Sequence, residues 1–321
     1  MLFSTIDEIK VHVGFLYAYN NFNNLKTDID LAEDDIKDLI GSDMFDVAQA
    51  YYDSFDSDAM LGALVKHIQL PLAYFAIHSF SQNNDISHED SGRKVKIDSE
   101  REKLPWEWML EKDERALLKK AHRTTDRLIR FLDENINDPH FIRWKFGEER
   151  VAIHHQFISN ANDFDAIYPI NKSRRFFLKI APFIREAERK YILPVLTQTF
   201  FDDIKAKLSD VANPGITPAG IIPYIQVPLA FFAMAIAVER LNIDILPEGV
   251  FQNIVSDRLT QRAKLPPKSE AKREYSKLLQ QRANAEISFL QEFMRNYNEG
   301  SNYTERNLVQ GLDKDNKYAR I

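Results

Sequence analysis

The densest set of potential metal ligands in the chain is Glu148-Glu149 followed by His154-His155. Carboxylates and imidazoles this close in sequence could hold zinc or iron. The spacing argues against it: neither Glu-x-x-His nor His-Glu-x-x-His occurs anywhere, and neighbouring histidines on a helix point about 100 degrees apart. An ordinary surface or linker role is the expectation. Asp53, Asp56 and Asp58, and later Asp313, Asp315 and Asn316, resemble fragments of calcium loops. Both sets lack the central Gly and terminal Glu of such loops and read as solvated turns. No Gly-x-Ser-x-Gly, Gly-x-Gly-x-x-Gly or Gly-Lys-Ser/Thr segment is present, and there is no cysteine to serve as nucleophile, metal thiolate or disulfide. His67 and His78 flank an apolar stretch and read as satisfied histidines at its polar edge. Trp106-Glu107-Trp108 could stack a ligand, but aromatic packing on a neighbouring helix or subunit is the default. These residues assign no catalytic, cofactor-binding or metal site, and no cofactor.

The elements around these residues read as helices. The 321 residues are 44% apolar and 28% charged, as in soluble globular proteins, and only 10 are glycine. Such scarcity of the residue that makes tight turns points to helices with few sharp corners. The net charge of -6 does not suit a protein whose affinity comes from gripping nucleic-acid phosphates, and no sequence-specific nucleic-acid partner is expected. The start of the chain, Met1-Leu2-Phe3-Ser4-Thr5-Ile6, has no basic segment leading into an apolar one, so synthesis in the cytoplasm without a secretory signal is expected. The uncharged run Gly220 to Val238 is as long as a short membrane span, yet it contains Pro223, Gln226 and Pro228. A buried helix of a soluble protein, with no membrane partner, is expected there.

The chain also matches itself. Ile68-Gln69-Leu70-Pro71-Leu72-Ala73-Tyr74-Phe75-Ala76-Ile77 and Ile225-Gln226-Val227-Pro228-Leu229-Ala230-Phe231-Phe232-Ala233-Met234 agree at seven of ten positions. Ala32-Glu33 with Phe45 pairs with Ala187-Glu188 with Phe200. Arg101-x-Lys103-Leu104-Pro105 pairs with Arg262-x-Lys264-Leu265-Pro266, and Ile129-x-Phe131-Leu132 with Ile287-x-Phe289-Leu290. Collinear matches at nearly constant offset indicate tandem duplication of a domain-sized unit. The expected division is a first helical repeat over 1–140, a linker over 141–160, a second helical repeat over 161–298 and a flexible C-terminal tail over 299–321. Within the linker, Phe141, Ile142 and Trp144 should be tied down.

Each copy reads as the same series of helices. Ile29, Ala32, Ile36, Leu39 and Ile40 recur at 3 and 4 spacing within Asp28 to Ala50, with Gly41 as an interruption; Pro182 to Leu208 is the counterpart. A central apolar helix follows, Ala59 to Phe80 and Ile221 to Leu241, in which the shared Pro either kinks one nearly all-buried helix, the favoured reading, or starts a new one. Lys94-Val95-Lys96-Ile97-Asp98 alternates and could form a short β arm. The second copy, with Leu246-Pro247-Glu248-Gly249-Val250, alternates less clearly. Amphipathic helices over Glu111 to Asn135 and Ser269 to Tyr297 close the copies. The fold class expected is mainly α: two tandem helical bundles, each with a Pro-kinked central helix and a short β arm.

This order of elements resembles phage head-tail connector proteins. The run Glu102-Lys103-Leu104-Pro105-x-x-Trp108 leading to Ile129-Arg130-Phe131-Leu132-Asp133 is more closely similar to uncharacterised phage and prophage proteins that are duplicated in the same way, and the likeness covers about residues 1–295. The resemblance implies a non-enzymatic virion subunit that forms a ring with copies of itself between portal and tail proteins. The ring would leave a channel for DNA, and connectors supply no catalytic residues to carry over. Acidic side chains facing that channel would repel DNA. Two other readings stay open: a ligand-binding or enzymatic helical bundle with its pocket between the repeats, and a cell-encoded helical adaptor.

Overall fold

The computed structural model describes residues 1–16, 21–54, 57–84, 86–89, 92–95, 105–147, 150–151, 153, 155–209, 220–241, 252–255, 262–265 and 269–298. The chain divides into two compact units, Met1–Val151 with Ser173–Arg175, and Ala152–Lys172 with Phe176–Ile321. The division falls inside the segment read as a linker. Phe141 and Trp144 of that segment are buried, whereas Ile142 is exposed; Phe157 and Ile158 belong to the core of the second unit. The tail over 299–321 lies outside the described residues.

The first unit runs α1 (Ile6–His12), a 3-10 turn (Phe22–Asn24), α2 (Lys26–Ile40), α3 (Ser42–Ser54), α4 (Ala59–Asn84), the hairpin β1 (Ile86–Glu89) and β2 (Gly92–Val95), α5 (Glu107–Glu134) and α6 (Ile142–Lys145). The second runs α7 (Ala161–Ile167), α8 (Arg174–Ala187), a π-helical turn (Glu188–Ile192), α9 (Leu193–Leu196), α10 (Gln198–Ser209), α11 (Ile221–Arg240), β3 (Gln252–Val255), β4 (Arg262–Leu265) and α12 (Ser269–Asn298). Both hairpins are antiparallel, with Ile86 opposite Val95 and Gln252 opposite Leu265. The fold is mainly α, as expected, and a β arm is present in each copy. The second arm forms although its first strand, Gln252-Asn253-Ile254-Val255, does not alternate, since four paired residues per strand need only the backbone ladder. Lys96, Ile97 and Asp98 of the expected first arm, the segment Arg101 to Leu104, and Leu246 to Val250 lie outside the described residues.

The helices form where the apolar period predicts. In α2 the buried residues Ile29, Ala32, Ile36 and Ile40 make one stripe. The central helices α4 and α11 run through Pro71 and Pro228 rather than restarting there, so each gives up one internal hydrogen bond at a buried position. Of the two, α11 is buried more nearly all round, and it packs along α12 as α4 packs along α5. Both α4 and α11 are long and apolar enough to cross a membrane by length and composition. Each is the central helix of its unit.

Two details correct the alignment of the copies. Pro182 lies inside α8, which begins at Arg174, eight residues before the expected start. Asn160 caps α7 as Thr5 caps α1, at an offset of 155 that also relates Glu188 to Glu33. After the π turn the offset becomes 156, and the counterpart of Phe45 is Phe201, which is buried, not Phe200. A single inserted residue is absorbed as one wide helical turn, just before Pro194, whose missing amide could not have bonded in a regular ladder.

Beyond the insertion the helix breaks at the same place in both copies. Gly41 has φ 85° and ψ 138°, and Thr197 has φ 68° and ψ 153°. Only glycine occupies this region without strain, and a β-branched residue there costs on the order of 1–3 kcal/mol. Thr197→Gly is therefore expected to raise the stability of the second unit by about 1 kcal/mol after the added chain entropy of glycine is deducted. Urea unfolding of the two proteins checks it; a loss of stability would refute the strain.

Candidate functional site

A buried carboxylate and a side-chain amide, buried in the first unit and half-buried in the second, recur in both units with the same partners. In the first, Glu33 on α2 accepts the Leu2 amide at 2.7 Å, and Gln69 on α4 donates to the Leu2 carbonyl at 2.7 Å. In the second, Glu188 in the π turn accepts the Phe157 amide at 2.6 Å, and Gln226 on α11 donates to the Phe157 carbonyl at 2.8 Å. One residue of the entering segment is thus held by both of its backbone groups, and its apolar side chain is placed in the core. Buried backbone groups need such partners. The sequence signals for this clamp were the recurrence of Gln in Gln-x-Pro-Leu-Ala and of Glu in Ala32-Glu33 and Ala187-Glu188; neither pointed to the backbone groups they hold.

The cations that offset the two glutamates differ. The Met1 ammonium lies 3.7 Å from Glu33 and donates to Gln49 at 2.7 Å. In the second unit Lys205, which occupies the position equivalent to Gln49, bonds Glu188 and the His155 carbonyl. Burial pushes the Glu188 carboxyl up and the Lys205 ammonium down, while their mutual attraction pulls both the other way. These groups are consumed in holding the fold, and the carboxylate is sealed from solvent at 2% exposure.

The residues singled out for chemistry are dispersed. Asp58 caps α4, accepting the Met60 and Leu61 amides at 2.8 and 2.9 Å, which together with His140 at 3.3 Å hold its carboxyl below the usual range. Asp53 on α3 accepts from Gln49 at 3.0 Å. Glu148, Glu149, His154, Asp56, Asp313, Asp315 and Asn316 lie outside the described residues. Among the described residues no group of three or more His, Asp or Glu side chains gathers as a metal set. His78 is half-buried, and burial lowers its pKa.

Two surface features remain. At the start of α5, Trp106 is 71% exposed and Trp108 58% exposed, with Met109 beside them, so the aromatic pair does not pack on a neighbouring helix of its own unit. The second is a groove of about 560 Å³ between α1, α4 and α5. His12 and His67 are half-buried there. The His12 Nε2 lies 3.3 Å from the Gln69 side-chain oxygen, and the His67 ring stacks on Phe131 at 4.4 Å. Burial lowers both imidazoles below their ordinary value, Arg127 and Arg130 adding to the effect at His67.

A protein-family model described as a family of unknown function (DUF6712) matches residues 36–152 and again 192–307. The two matches start 156 residues apart, the offset found beyond the π turn. Neither the curated proteins nor the solved structures give a match.

Proposed function

We propose, given that the chain belongs to the DUF6712 family, a family of unknown function, that it is a structural subunit of a tailed-phage particle, assembling with its own copies into a head-tail connector ring. The observation that carries this reading is the exposed apolar surface at Trp106, Trp108 and Met109. Three large apolar side chains on the first turn of a helix are costly to leave in water, and aromatic residues of this kind anchor protein interfaces. The duplication supports it: two related units supply two non-identical faces, as a head-to-tail ring requires. The buried glutamates support it as well, because in both units they hold backbone. A net charge of -6 suits a channel wall that lets DNA slide past. Portal and tail proteins are the further partners of this role, and the virion its location.

The test is the size of the purified chain by light scattering, with electron microscopy, alone and mixed with its portal. Rings that are lost in a Trp106→Ser, Trp108→Ser double variant of unchanged helicity are expected. A chain that stays monomeric in both settings would refute the assembly role.

A further inference from the structure

The groove of the first unit has features that neither the fold nor a ring interface calls for. Lys66 and His67 enter it from α4, Arg127 from α5 and His12 from α1. Lys66 and Arg127 are exposed, and no ion pair joins either to an acid among the described residues. The one carboxylate in the lining, Glu8, is already engaged, accepting the Ser4 amide at 2.9 Å and the Tyr52 hydroxyl at 2.8 Å. Ala63 and Leu70 add an apolar wall. The groove therefore carries an excess of positive charge on a chain whose total is -6.

The duplication supplies an internal control. At the offsets of the surrounding elements, Lys66 corresponds to Pro223, His67 to Tyr224, His12 to Ile167 and Arg127 to Ala285. Tyr224 packs on Phe293 at 5.3 Å. Gln69, which the backbone clamp needs, stays Gln226. The same bundle thus forms without a nitrogen-bearing side chain at any of the four positions, and the Tyr224 ring packs on Phe293 where the His67 ring packs on Phe131, so packing in the first unit does not require the nitrogens. Each would instead be useful to a bound anion.

We propose that this groove binds a small organic phosphate, its phosphate held by Lys66 and Arg127 and its apolar body lying against Ala63 and Leu70. A tetrahedral phosphate accepts donors from several directions, which fits an ammonium and a guanidinium on different helices. A planar carboxylate is served best by one Arg fork. A groove of about 560 Å³ is larger than inorganic phosphate requires and is within the range of small-molecule sites. The half-buried His67 ring offers a further N–H donor to the same head. This site is independent of the ring role.

The experiment is calorimetric titration of the full chain at low salt with phenyl phosphate, inorganic phosphate and benzoate. Phenyl phosphate is expected to saturate one site, inorganic phosphate to bind more weakly, and benzoate most weakly of the three. Arg127→Ala, which installs the second unit's residue at an exposed position, should weaken phenyl phosphate at least about tenfold. Lys66→Gln should act in the same direction, and it gives a second reading should the first variant fold poorly. Failure of phenyl phosphate to saturate, or undiminished affinity in the folded variants, overturns the site. Benzoate binding as tightly as phenyl phosphate overturns the ligand class, and inorganic phosphate doing so overturns the apolar contact.

Discussion

Glu188→Ala is expected to cost the second unit about 3–5 kcal/mol, because it leaves a partly buried ammonium and a buried amide without their shared acceptor. The Lys205 side chain is held between Phe157 and Phe201, at 4.7 and 5.1 Å from the two rings, and the substitution would remove its buried anionic partner while leaving its bond to the His155 carbonyl. The Phe157 amide would have no replacement partner within its clamp. Glu188→Gln separates the two contributions: its amide oxygen can still accept from Phe157 while the charge attraction is lost, so a smaller loss is expected. Urea unfolding gives the totals, and hydrogen exchange at the Phe157 amide shows whether the loss is local. An Ala variant as stable as the parent, with that amide still protected, would remove the clamp from the account of the fold.

The second large effect separates two positions that are the same by sequence. Phe232 on α11 is 2% exposed and lies face to face with Tyr191 of the π turn, with ring centroids 3.8 Å apart and planes 5° from parallel. Truncation to alanine should cost about 3–5 kcal/mol through lost burial and the cavity left behind. Phe75 is its counterpart on α4; it is only partly buried and meets His122 at 6.0 Å in a tilted contact. Phe75→Ala should cost about half as much, since its site is already partly open to water. The comparison is read by unfolding each variant under one set of conditions. Equal losses would mean that the Tyr191 stack and the fuller enclosure add nothing.

Much of the fold was legible because its helices announce themselves locally. The stripe in α2, the break at Gly41 and the central helices follow from residue types within a few turns. The break at Thr197 was not legible, for a β-branched residue is a poor occupant of positive φ and nothing nearby marks the strain. The π turn was equally hidden: it shows only as a one-residue change in offset between the copies, which a loop insertion would also give. Of the candidate surfaces, His67 and the Trp106-Trp108 pair were named from sequence. The groove was not, because His12, Lys66 and Arg127 lie on three separate helices.

The order of amino acids by itself determined that the chain is helical, that it is duplicated and which face of each helix is apolar, since all three are carried by short-range periodicity and by self-comparison. Only the tertiary structure decided what the buried polar residues do. Glu33 and Gln69 meet at one residue that lies 31 positions from the first and 67 from the second, and Glu188 and Gln226 repeat the arrangement 31 and 69 positions from Phe157. Hydrogen bonds over such separations leave no periodic trace. Their partners exist only once the chain has brought a distant backbone segment against the helices.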